Sequence, residues 1–84
     1  MGAFATLLSS ANSDELVPRL MAYVRVRLLV AGLSPATTHD VVLTAVRRGL
    51  NGEFENDYEP NETLFENVCR ICEEVIADRR YPIR

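Results

Sequence analysis

Eighty-four residues, 48% of them apolar, with a net charge of −3, describe one globular domain. Such a chain buries roughly 60–65% of its unfolded surface, enough for one modest core. The acidic balance excludes a binder that is basic all over, two cysteines exclude a disulfide framework, and no run approaches the ~20 apolar residues that cross a bilayer.

The charge is uneven. Residues 1–50 carry five Arg against Asp14, Glu15 and Asp40, for +2, and residues 51–84 carry four Arg against nine acids, for −5. Every basic residue is Arg, the side chain suited to bidentate contact with carboxylate or phosphate. The apolar start, Met1 to Leu8, lacks a basic leader and a cleavage pattern, so the expectation is a cytoplasmic protein without membrane contact.

In chain order, residues 2–9 read as a turn or two of helix with Phe4, Leu7 and Leu8 on one side. Ser9 to Ser13 is a link, and Asn12 with Glu15 has capping-box spacing. A helix over about 14–31 follows. Leu16, Leu20, Tyr23/Val24 and Leu28 recur at helical spacing, with Val17 and Met21 beside them. Pro18 removes an internal hydrogen bond, so this helix either starts nearer Val17 or kinks there. Gly32 ends it.

Ser34 as cap and Pro35 at the first helical position open a second helix over about 35–50. Its buried stripe is Val41, Val42, Ala45, Val46 and Leu50. The link of about three residues makes the two helices an antiparallel hairpin. Residues 51–60 form an acidic loop holding Glu53, Glu55, Asp57 and Glu59, with Phe54 and Tyr58 as anchors. The last helix, about 61–80, carries a stripe of Leu64, Phe65, Val68, Ile71, Cys72, Val75 and Ile76. Glu62 and Glu66 lie early and Arg79 and Arg80 late, matching the helix dipole, and Tyr81-Pro82 stops it. The expected fold is an all-α bundle of three to four helices, with no strand.

Candidate chemistry is sparse. Cys69 and Cys72 form a C-x-x-C within a helix, where a redox site would need a helix N-terminus after a strand, and zinc would need two further ligands besides the single His39. His39 beside Asp40 has no nucleophile context, and the acidic loop lacks calcium-loop spacing. No acid, base and nucleophile assemble, so no enzyme activity and no cofactor or metal are expected.

Gly32-Leu33-Ser34-Pro35, then Asp40-Val41-Val42, then an ungapped run from Asn67 to Arg79 that retains Arg70, Ile71, Val75, Asp78 and Arg79 in kind, resemble region 2 of bacterial sigma factors of the extracytoplasmic-function type. The resemblance covers residues 15–80 and implies a sigma region 2-like bundle. In that family the second helix docks on the clamp coiled coil of RNA polymerase, while the third helix and its preceding loop read and melt the minus-ten element. It thus implies a transcription regulator whose partner is RNA polymerase or a sigma-system protein, contacted through Asp40, Val41, Leu43, Thr44, Arg47 and Arg48. DNA contact would fall to Arg70, Arg79, Arg80 and Arg84. Asn67 and Cys69 stand where the family has Trp and Tyr, and Glu73-Glu74 where it has Arg-Asn, so the stacking platform for single-stranded DNA is absent and promoter melting is expected to be lost.

Two other functions fit the residues. One is a dimerisation or adaptor module, a homodimer included, using surplus apolar residues such as Val26, Leu29, Val30 and Leu43. The other is a DNA-binding protein working through the C-terminal arginine cluster, with steeply salt-dependent affinity.

Overall fold

Leu20, Val24 and Leu28, one turn apart, are wholly buried, and this stripe sets the first long helix against the other two. The computed structural model describes residues 2–80. Four helices follow in order: α1 (Ala3–Ser9), α2 (Ser13–Val30), α3 (Thr38–Leu50) and α4 (Leu64–Arg80). The described residues form an all-helical four-helix bundle, with short 3₁₀ turns at Pro35–Thr37 and Glu55–Asp57. The expected halt at Tyr81-Pro82 lies outside them.

Helix α2 begins on Asn12, whose side chain accepts from the Asp14 N–H at 3.0 Å. The helix begins at Ser13 and runs on through Pro18 instead of starting nearer Val17. The missing N–H orphans only the carbonyl of Asp14, an exposed residue, so water can serve it. Gly32, at φ +76°, takes the left-handed turn that lets the Leu33 N–H reach back to the Leu28 carbonyl. Ser34 accepts from the Ala36 N–H, and the segment that follows is a 3₁₀ turn before α3 proper.

Helix α3 packs on all three other helices. Val41, Val42 and Ala45 are buried as expected. Leu50 is not: it is 37% exposed, because it lies nearly opposite Val41 around the helix. Gly49 takes the inward place at that end. A Cβ there would come within 2.8 Å of Leu8 and 3.3 Å of Phe4, so the bare backbone is the seat of α1. Helix α1 buries Phe4, Ala5 and Leu8, and Leu7 points out, contrary to the expected stripe. Its first amides are capped from far along the chain. Glu55 accepts from the Phe4 N–H at 3.0 Å and from the Ala5 N–H at 2.8 Å. Phe4 also stacks on Tyr58, centroids 5.4 Å apart, and Phe54 is buried beside it, so both loop anchors hold.

Helix α4 starts three residues later than expected. Thr63 and Glu66 form a reciprocal capping box, the Glu66 N–H donating to Thr63 Oγ1 at 3.1 Å and the Thr63 N–H donating to Glu66 Oε1 at 2.9 Å. That bond to the Thr63 amide holds the Glu66 carboxyl below the usual carboxylate range. Glu62 therefore sits before the helix, not in its first turn.

Leu28→Ala should lower stability by about 2–5 kcal/mol, since the fully buried site cannot collapse around the loss. Val30→Ala, two residues on and on the opposite, exposed face, should change it by less than about 0.5 kcal/mol. Urea denaturation of the two variants checks the contrast.

Candidate functional site

The α3–α4 seam joins residues that the sequence assigns to different sites. Asp40, expected to face a protein partner, accepts from Arg79, expected to face DNA, at 2.6 Å. Arg48 reaches Glu53 at 3.2 Å and Asp78 at 3.6 Å, and its guanidinium lies 5.0 Å from the Phe54 ring centroid. These pairs are solvent-edged and worth about 0–1 kcal/mol each. Their main effect is to set orientation: Asp40 and Arg79, expected at different sites, are turned toward one another, and Arg48 is turned toward the acidic loop and Asp78. Val41, placed by the resemblance on the same surface, is fully buried on the core side and offers nothing to a partner. Leu43 and Arg47 are exposed, and Thr44 is half-buried. Arg47 makes no ion pair among the described residues.

The other expected DNA contacts do not converge. Arg70 pairs with Glu62 and donates to Asn67 Oδ1 at 2.6 Å and to the Asp57 carbonyl at 3.3 Å, which ties it to the acidic loop. Arg80 is exposed at the end of α4, and Arg84 lies outside the described residues. The loop has its own organiser, which sequence reasoning missed. Asn67 is buried, accepts from the Glu59 N–H at 2.9 Å, and donates to the carbonyls of Glu59 at 3.1 Å and Thr63 at 2.9 Å. An Asn inside an otherwise apolar helical stripe was the available signal. A hollow of about 480 Å³ beside it is lined by Phe4, Tyr58, Asp57, Glu62, Arg70 and Glu74 among others.

Glu73 is also engaged. It accepts from the Tyr23 hydroxyl and, at 2.8 Å, from Arg27 Nε. Burial and this carboxylate together raise the Tyr23 hydroxyl above its ordinary range. Cys69 and Cys72 are both free and buried. Burial, then the nearby Glu73, pushes the Cys69 thiol up to about 11; burial, then Cys69, pushes Cys72 up to about 12. Neither has the low pKa of a reactive thiol. Among the described residues no three His, Cys, Asp or Glu side chains gather to hold a metal ion, and no helix is long and apolar enough to cross a membrane.

What remains is apolar surface. Val26, Leu29 and Val30 are 58%, 56% and 69% exposed and lie on the side of α2 away from Leu20, Val24 and Leu28. Ala22 extends this face toward a hollow of about 470 Å³ lined by Met21, Ala22, Arg25, Pro35, Ala36 and His39, among others. Arg25 makes no ion pair among the described residues. Arg19, on the other edge, lies 4.3 Å over the Phe65 ring. Leu43, grouped with these residues in sequence, stands apart from the three on α3, beside a separate hollow formed with Val17.

Asn67→Ala should cost about 1–3 kcal/mol in urea unfolding, since it removes the bonds that one buried side chain makes to the backbone of Glu59 and Thr63. A loss below about 0.5 kcal/mol would show that the loop does not depend on it.

No protein-family model, no curated protein and no solved structure matches this chain.

Proposed function

We propose that this chain is a helical adaptor module that acts by protein–protein contact, with the outer face of α2 as its docking surface. The observation that carries the reading is the apolar stripe of Val26, Leu29 and Val30, each more than half exposed. An 18-residue helix needs one apolar face to join a bundle, and α2 has two. Exposed large apolar side chains in one patch are the mark of a contact surface. Arg19 and Arg25 at its edges favour a partner whose own apolar patch is rimmed by carboxylates.

A photo-crosslinking side chain at Leu29, introduced in cells that make the protein, should yield one discrete adduct, and the same group at exposed Thr6 none. Val26→Glu should abolish the adduct while shifting stability by less than about 0.5 kcal/mol. An adduct that survives Val26→Glu, or none at either Val26 or Leu29, would sink the reading.

A second reading keeps the likeness to sigma factor region 2 and places RNA polymerase on α3. Its support is Leu43, exposed beside Arg47, an apolar anchor with a charged neighbour. Asp40 would have to be shared with Arg79. Leu43→Asp should then release native RNA polymerase from the immobilised protein. Polymerase that is not retained by the unaltered protein, or that tolerates the change, removes this reading.

A further inference from the structure

Helix α3 has a second stripe outside its core-facing one. His39, Leu43, Val46 and Leu50 recur at i, i+4, i+7 and i+11, so they share one line along the helix. Leu43 and Leu50 are exposed, Val46 is half-buried, and His39, Leu43 and Val46 share a hollow of about 240 Å³ with Val17 of α2. Asp40 and Arg47, seven residues apart, stand on the same flank of this stripe. Arg47 has no ion pair among the described residues. Asp40 meets Arg79 through Oδ2, and its side chain is still 65% exposed.

We propose that a second copy of this chain covers the stripe, in a two-fold pair with the α3 helices antiparallel. With Leu43 set against Val46 of the partner subunit, His39 faces Leu50 of the partner subunit, and the three apolar side chains and the imidazole ring close on one another. In that register Asp40 lies two residues, or about 3 Å of helix rise, from the level of the partner's Arg47, within the span of an arginine side chain. The two-fold axis makes the contact twice. A parallel pairing would put the two charged flanks on opposite sides of the seam, out of reach of one another, so only the antiparallel form brings Asp40 and Arg47 together.

The outer face of α2 has no such reciprocity. Arg25 edges it, and the register that brings the partner's Glu15 to Arg25 carries Leu29 beyond the start of the partner's α2. The two faces are therefore given different occupants: a second copy on α3, and a different protein on α2. Pairing through α3 leaves α2 uncovered, so either assignment can fail without the other.

Sedimentation equilibrium tests the pairing on the full chain. The 9.4 kDa chain should run at twice that mass. Arg47→Asp and Asp40→Arg should each weaken association about tenfold or more. An equimolar mixture of these two single variants should recover it as a heterodimer, because each chain then offers the charges that the other lacks. Leu43→Glu should give a monomer and Val26→Glu should change nothing. Circular dichroism melts establish that each variant is folded. Arg47→Asp disturbs no internal ion pair, so it carries the test if Asp40→Arg destabilises the fold. A monomer at concentrations up to about 1 mM, a mixture no better than its components, or a dimer lost with Val26→Glu and indifferent to Arg47→Asp would overturn the proposal.

Discussion

Close approach to α3 is the constraint on which the rest of the bundle depends. A helix of thirteen residues has to seat three others, and it does so with small side chains: Val41, Val42, Ala45 and the bare Gly49. Larger residues at those positions would hold α1, α2 and α4 too far off to share a core. The bulk is supplied from the other side, by Phe4, Leu20, Leu28 and Ile71, all of them fully buried. With its inner half so committed, α3 has only its outer half left for a partner, and the candidate positions narrow to Leu43, Arg47 and their neighbours.

Helical periodicity made much of this fold legible in the sequence. The three long helices, their order, the stop at Gly32 and most of the core stripes follow from apolar spacing and turn residues, whereas Ser34 and Pro35 open a 3₁₀ turn and α3 itself begins only at Thr38. Spacing failed where a neighbour outranked it. Leu7 and Leu50 are apolar yet exposed, because α1 is too short to bury both Leu7 and Leu8 and because α1 lands on Gly49 instead of beside Leu50. The start of α4 has two signals in the sequence, Asn61 with Glu62 and Thr63 with Glu66, and only the second forms a reciprocal capping box.

The candidate sites were less legible than the fold, for an electrostatic reason. A charge in a sequence has no partner until the chain closes. Asp40 and Arg79 are 39 positions apart, and Arg27 and Glu73 are 46 apart, yet each couple meets within hydrogen-bonding distance. Charges that look available when read singly are largely spoken for in the fold, and the sign of a segment is a poor guide to what it binds. The half of the chain that carries −5 holds its acids in loop caps and cross-helix pairs as much as in open solution. Apolar side chains left outside the core have no such local settlement, which is why they, and not the charges, define the surfaces that remain.

The cap that Glu55 places on α1 has a consequence for the order of assembly. A seven-residue helix does not hold together alone in water, because nucleation costs more than so few hydrogen bonds return. Its capping carboxylate lies some fifty residues downstream, and its seat at Gly49 nearly as far. Helix α1 therefore forms only once the segment through Glu55 is in place. During synthesis Phe4 and Leu8 leave the ribosome with nowhere to go, and they stay exposed until the loop after α3 has been made and has turned back to receive them.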